Sequence, residues 1–250
     1  MSVKIDVSLG EALDKLTILD IKKNKINDSR REDVITEFQY LQKELHTYTE
    51  KYKYLYSILY KTNERIWECM DIIRDSKKPT IELYEYIDET IILNDSRYLI
   101  KKKINEVGKS ALKEQKGYHL RSLHIILDCD FETINILNGA IRYYSFFYDE
   151  VILTTKDEHM MIKRMFDDDP FIKINTGEYS NDGDCVSVNN SGDITVNILH
   201  HHHHALSSKM KESTYCDKYS KEVNDIYRKL GMNISIFEEY KNNNYESIYL

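Results

Sequence analysis

From Val34 to Ile73 the apolar positions recur in alternating steps of four and three: Val34, Phe38, Leu41, Leu45, Tyr48, Tyr52, Leu55, Leu59, Thr62, Ile66, Cys69 and Ile73. That alternation keeps one side of a helix apolar and is the heptad pattern. A single helix over this stretch would be roughly 60 Å long at about 1.5 Å per residue. It needs cover along that length, from flanking helices or from a second chain. Ahead of it, Ser8-Leu9-Gly10-Glu11 reads as a capping box, in which the Ser hydroxyl and the Glu carboxylate each satisfy a free backbone N–H. Leu13, Leu16, Leu19, Lys23 and Ile26 follow at spacings of three and four, and Asn27-Asp28-Ser29 reads as a stop and the next cap. Beyond the stripe, Ser76-Lys77-Lys78-Pro79 breaks the helix and Thr80 caps another, striped by Tyr84, Ile87, Ile91, Tyr98 and Lys102. Two long helices joined by a short turn predict an antiparallel hairpin.

The pattern changes near Gly117. Leu123 to Leu127 is a short apolar run ending at Asp128, which suits a buried strand. Phe131 to Phe147 is helix-like, Glu150 to Thr155 is a second strand, and Glu158 to Phe166 a second helix. Asp169-Pro170 turns the chain into a third strand, Phe171 to Ile174. Strand–helix–strand–helix–strand at this spacing predicts parallel βαβ units. Residues 177–193, rich in Asn, Asp, Ser and Gly, read as a loop or hairpin, and Ile194 to Leu199 as a fourth strand. Tyr219 to Leu230 is a helix stopped by Gly231, and the tail at Asn242-Asn243-Asn244 is frayed.

Composition narrows the class. At 250 residues the chain has room for one large domain or two small ones, each able to bury a core. A net charge of −7 disfavours nucleic acid and anionic membrane as partners. Cys69, Cys129, Cys185 and Cys216 are widely spaced and form no CxxC pair, so neither a zinc knuckle nor a disulfide framework is expected. The sequence has no apolar run near about 18 residues and no signal-peptide pattern. The expectation is a soluble cytoplasmic protein of a reducing compartment.

Polar residues stand out on helices that already have their apolar stripe. They are Asn63, Trp67, Asp71, Arg74, Asn94, Asp95, Arg97, Lys101, Asn105, Glu114, Lys116 and Tyr118. With the opening Gly10-Glu11-Ala12-Leu13-Asp14-Lys15-Leu16-Thr17 and Ile104, this set resembles an uncharacterised helical domain family of bacterial glycan-biosynthesis clusters, over residues 5–118. Further on, Asn138-Gly139-Ala140-Ile141-Arg142 resembles the Asn-Gly-x-x-Arg helix in the first α/β half of glycosyltransferase-like proteins of large DNA viruses. Val151-Ile152-Leu153, Met165 to Ile172 and Tyr227 to Met232 match later elements of that half. Where that family has a Gly-Asp-His loop, this chain has Glu132-Thr133-Ile134.

Several groups carry candidate chemistry. Asp128-Cys129-Asp130 follows an apolar strand. One reading is the DxD of metal-dependent glycosyltransferases, whose carboxylates hold Mn²⁺ or Mg²⁺ against a diphosphate. A second is a phosphatase loop with Asp128 as nucleophile and Asp130 as acid–base. The plainest is a strand end followed by a helix cap, with Asp130 capping the helix from Phe131. Asn138 and Arg142 share a helix face, suited to a hydroxyl and a phosphate or carboxylate, or to an ion pair of Arg142 with Glu132 or Asp149. The basic run Arg97, Lys101, Lys102, Lys103, Lys109, Lys113, Lys116 and Arg121 reads as a phosphate-attracting face or, more plainly, as a solvated one. His200 to His204 would take up Ni²⁺ or Zn²⁺ in vitro, but a low-complexity tract is the plainer reading.

The residues and the resemblance together predict an α + α/β protein. Residues 1–118 are expected to form a long, coiled-coil-like helical hairpin domain. Residues 119–250 are expected to form a small Rossmann-like parallel α/β half-domain with a flexible tail. The resemblance implies a glycosyltransferase-like protein of glycan biosynthesis that lacks a complete donor-binding domain. Its expected site has Asp128 and Asp130 as catalytic carboxylates, Asn138 and Arg142 on the substrate, and Mn²⁺ or Mg²⁺ with a nucleotide sugar, no metal site being firmly indicated. Trp67, Asp71, Arg74, Asn94 and Arg97 are expected as a structural polar network between the long helices. The rival expectation is a non-catalytic adaptor or oligomerisation protein that recruits a complete glycosyltransferase. The expected partners are a second copy, bound through the helices, and such a transferase. The expected location is the cytoplasm, of the host if the protein is viral.

Overall fold

The computed structural model describes residues 5–76, 80–117, 120–155, 160–167, 169–177, 184–189 and 194–197. They fall into two units that divide after Gly117, the first helical and the second α/β.

Ser8 opens the helical unit as its sequence dictates. Extended at ψ 155°, it accepts the Glu11 N–H on its hydroxyl at 3.2 Å and starts α1, Leu9–Lys25. The Glu11 carboxylate, the other half of the expected capping box, is taken by Lys101 instead. Helices α2 (Arg30–Lys51), α3 (Lys53–Asp75) and α4 (Ile81–Val107) follow. Thr80 caps α4, its hydroxyl accepting the Leu83 N–H at 3.2 Å. α3 and α4 form an antiparallel hairpin: Tyr52 meets Val107 at one end, and Arg65 meets Glu89 further along.

The heptad stripe does not make one helix. Tyr52, at φ −111° and ψ 33°, leaves the helical region and divides it into α2 and α3. Neither Pro nor Gly causes the break. The hydrogen bonds around it persist, Tyr52 N–H to the Tyr48 carbonyl and Tyr56 N–H to the Tyr52 carbonyl, both at 2.9 Å. The cause is tertiary. The Tyr52 ring is buried, and its hydroxyl donates to the Val107 carbonyl at the end of α4 at 3.4 Å. The stripe also changes partner there. α2 buries Phe38 and Leu45 and packs mainly on α1, with the Lys23 ammonium 4.0 Å from the Phe38 ring centre. α3 packs on both α1 and α4.

α1 is the centre of the unit and packs against each of the other three helices. Its buried positions, Gly10, Leu13, Asp14, Leu16, Thr17, Leu19 and Ile21, cover more of the circumference than one stripe. Polar residues are therefore drawn inside and must find partners there. Gly10 allows the closest approach. A Cβ at this position would lie 2.6 Å from the Lys101 carbonyl oxygen, and the Gly10 N–H donates to Asn105 Oδ1 at 2.7 Å.

The second unit runs β1 (Ser122–Asp128), α5 (Phe131–Tyr144), β2 (Glu150–Thr155), α6 (Met160–Phe166), β3 (Ile172–Thr176), β4 (Asp184–Asn189) and β5 (Ile194–Asn197). The sheet order is β3-β2-β1-β4-β5. The first four of these are parallel, and β5 returns antiparallel to β4. β1 lies in the middle, where Leu123, Ile125 and Leu127 are buried and pair in register with Val151, Leu153 and Thr155 of β2. The alternating strands and helices up to β3 follow the hydrophobic spacing. β4 corrects the reading of residues 177–193 as a loop. The Asn, Asp and Gly signals there bracket a strand too short to show a period of its own, and β4 and β5 make the hairpin of the alternative reading. α5 stops at Tyr144, short of the expected Phe147, where Ser145 turns its hydroxyl onto the Arg142 carbonyl. The His200–His204 tract, the helix at Tyr219–Leu230 and the Asn242–Asn244 tail lie outside the described residues.

Gly10→Ala tests the central position of α1. In an exposed helix this exchange stabilises by up to about 1 kcal/mol. Here the added methyl collides with α4 backbone, so a loss of about 1–3 kcal/mol is expected from overpacking. Urea unfolding followed by helical circular dichroism reads the sign.

Candidate functional site

Polar side chains gather inside the helical unit around Asp14, which is 2% exposed. Its Oδ1 accepts from Asn63 Nδ2 of α3 and from Arg97 Nε of α4, each at 2.8 Å, and its Oδ2 accepts from Arg97 Nη2. Thr17 donates to the Asp14 carbonyl at 2.7 Å and accepts from the same Asn63 amide at 2.8 Å. Three helices thus meet on one carboxylate. Hydrogen bonding to Asp14 raises the Arg97 guanidinium further above its ordinary pKa. Next along α4, Lys101 is buried between Glu11 of α1 and Glu114, whose Oε2 lies 2.6 Å away. Burial alone would lower the Lys101 ammonium, but the two carboxylates outweigh it and hold its pKa above the usual value. Two further pairs tie the segment after α4 back onto that helix, Lys113 to Glu106 at 2.8 Å and Lys116 to Asp95 at 3.3 Å.

This arrangement redraws the expected polar network. Arg97 belongs to it, but its partner is Asp14 on α1. Asp71 and Arg74 stand exposed in the last turns of α3, and Trp67 is half-buried. Asn94 bonds within its own helix, to the Thr90 carbonyl at 2.9 Å. The polar link across the α3–α4 hairpin is Arg65 to Glu89, at 2.8 Å and 3.1 Å, with Arg65 also reaching Glu68 at 3.0 Å. The basic run is a solvated face only in part. Lys109 and Lys113 are exposed, but Arg97, Lys101 and Lys116 meet carboxylates and Lys103 is fully buried. The contacts of Asp14, Lys101 and Asn105 satisfy these polar groups inside the helical unit.

In the α/β unit, Asp128 ends β1 half-buried and lies in register with Asn189 at the end of β4. Asp130 caps α5: its Oδ1 accepts the Thr133 N–H at 2.8 Å and its carbonyl accepts the Ile134 N–H at 3.1 Å. The helix-cap reading of this residue therefore holds. Between them, burial and then the charges of Asp130 and Asp128 push the Cys129 thiol up to about 11, so it stays protonated near neutral pH. Among the described residues, no group of three or more His, Cys, Asp or Glu is placed to hold a metal ion. Asn189 is the rim residue that sequence reasoning missed, because its strand was read as loop.

Asn138 and Arg142 do share a face of α5 and bond to each other, Nε to Oδ1 at 3.0 Å. Arg142 is only 2% exposed, however. Its Nη2 donates to the Met165 carbonyl at 2.6 Å in the last turn of α6, and its guanidinium lies 5.4 Å from the Phe166 ring centre. A cation at a helix C-terminus meets the negative end of the dipole. Arg142 thus ties α5 to α6. Asp169, also buried, accepts from Phe171 N–H at 2.9 Å and Ser145 Oγ at 3.3 Å, fixing the turn before β3. Tyr148 donates to Asp184 at 2.9 Å near the amino ends of the strands.

No family model, curated protein or solved structure matches the chain. No helix among the described residues is long and apolar enough to cross a membrane.

Two arginines separate the observed network from the expected one. Arg97→Ala strands the Asp14 carboxylate in the interior and is expected to cost about 3 kcal/mol or more. Arg74→Ala removes an exposed side chain and is expected to stay within about 0.5 kcal/mol. Denaturant unfolding of both variants distinguishes the two positions.

Proposed function

We propose that the chain is a glycosyltransferase-like protein of glycan biosynthesis, whose Rossmann-like α/β unit binds a nucleotide sugar at the carboxyl ends of its strands. The observation that carries this reading is the sheet order. β1 is followed by β2 on one side and flanked by β4 on the other. In open α/β sheets ligands bind at such a switch point, outside the carboxyl ends of the strands. Asp128 and Asn189 lie on the two strands at that point, and α5 begins beside them. In this reading Asp128 and Asn189 take sugar hydroxyls or the oxygen-ligand sphere of Mn²⁺ or Mg²⁺. Asp130 orients the first turn of α5, and Asn138 and Arg142 hold the helix on which that turn stands.

The test is titration with a panel of nucleotide sugars, with and without Mn²⁺, read by melting temperature. Wild type is compared with an Asp128→Asn, Asp130→Asn double variant. Asn is as good a cap as Asp, so the variant keeps α5. A ligand at about 100 times its Kd adds about 2.7 kcal/mol to stability. Saturable stabilisation by one of the sugars, lost in the double variant, is the expected result.

A second reading, the adaptor that assembles with another copy or with a complete glycosyltransferase, draws on a different observation. Ile81, Tyr84 and Ile91 are exposed along α4 in steps of three and seven, which places them on one face. If that face joins a second chain, light scattering gives the mass of a dimer. A monomer at high micromolar concentration counts against homo-oligomerisation.

A further inference from the structure

β3 ends the strand order, and among the described residues no strand lies beyond it. The Phe171 carbonyl accepts the Val151 N–H at 2.8 Å, so residue 171 directs its backbone groups at β2. Backbone direction alternates along a strand. The N–H and C=O of Ile174 and Thr176 therefore point outward from the sheet.

A cleft of about 470 Å³ lies beside that edge, between β3 and α6. Ile172, Ile174 and Thr176 line one wall, and Met160, Lys163 and Phe166 the other. Phe166 and Ile172 are buried, and Ile174 is half-buried, so the floor is apolar. Lys163 is exposed and pairs with no carboxylate among the described residues. Among the described residues, the carboxylates lining the cleft are Asp167, one turn further on, and the buried Asp169. Ile174 and Thr176 thus turn their main-chain groups outward, away from β2, and their side chains to the cleft, while the Ile172 N–H is held by the Asp169 carbonyl at 3.2 Å.

We propose that this edge and cleft bind an extended segment of another protein, which adds to the sheet as a strand beside β3. The segment places alternate apolar side chains in the cleft and an acidic residue on Lys163. Main-chain pairing supplies affinity in this mode, and the pockets for alternate side chains supply selectivity. A compact ligand would use the cleft but not the outward row of N–H and C=O groups. A second copy of the same edge would bring a second Lys163 to the interface, whereas an acidic segment complements it. This inference does not depend on the strand-end site of the proposed function.

The test uses the full chain and a fluorescein-labelled heptapeptide of alternating valine and threonine with a glutamate at one end, followed by anisotropy. Two N-methylated forms of the peptide are compared, one methylated at the valines and one at the threonines. Only one of the two sets can face β3. Methylation of that set is expected to weaken binding by about tenfold or more, while the other set leaves it within about twofold. Lys163→Glu, on an exposed face of α6, is expected to weaken the glutamate peptide and favour one ending in lysine. Equal effects of the two methylations, indifference to Lys163→Glu, or no saturable binding at millimolar peptide each overturn the proposal. So does self-association of the chain without peptide binding.

Discussion

A carboxylate can be buried where three helices meet only if donors from the neighbouring helices converge on it. Asp14 imposes that condition on the helical unit. Asn63 supplies one donor from α3 and Arg97 two from α4. The bonds reach both neighbouring helices, so the three helices cannot slide independently. Their apolar contacts alone would tolerate shifts, because Leu, Ile and Tyr side chains repack when volume is conserved. A buried charge does not tolerate them, since losing a partner costs several kcal/mol. The close approach at Gly10 and its hydrogen bond to Asn105 set the same interface one turn earlier.

That constraint also accounts for the division of the heptad stripe. α1 is short, and four helices share one small core around it. A straight helix from Val34 to Ile73 would pass along α1 only once. Breaking at Tyr52 lets the first part of the stripe pack on α1, and the second part on α1 and α4 together. The break needs no helix-breaking residue because the buried Tyr52 ring and its bond to Val107 compensate for the displaced backbone. Periodicity was blind to this, since the heptad register runs on through Tyr52 unchanged.

What could be read in advance follows from the range of each interaction. Caps and stripes are local, so Ser8, Thr80 and the β1–α5–β2–α6–β3 alternation are legible. Asp130 as a helix cap is legible for the same reason, its acceptor lying three residues from the donor. The partner of Arg97 is not, because Asp14 is 83 residues away and its own neighbours suggest a surface position on a helix. The basic run misleads similarly: its carboxylates come from α1, from α4 itself and from the segment after it. β4 is hidden by composition. Asp184 and Asn189 are turn-formers elsewhere, and only the buried β1 alongside turns Cys185, Val186 and Val188 into a strand. The candidate rim suffers from that last failure, since Asn189 is recognised only once β4 is.

The use of charge in the α/β unit bears on what its rim can accept. Among the described residues the buried arginine there, Arg142, turns toward the end of α6. What remains described beside the first turn of α5 is Asp128, Asp130 and the neutral Asn189. The helix dipole contributes about half a positive charge at that point, against which the described residues set two aspartates. Among the described residues a bare phosphate would therefore meet a net negative rim, unlike the glycine-rich turns that bind phosphate through backbone N–H groups alone. Two chemistries are compatible with this balance: a ligand that approaches with hydroxyl groups, whose protons the carboxylates accept, or a diphosphate that arrives with a divalent cation. The sign of the rim, more than its shape, separates these from a free sugar phosphate.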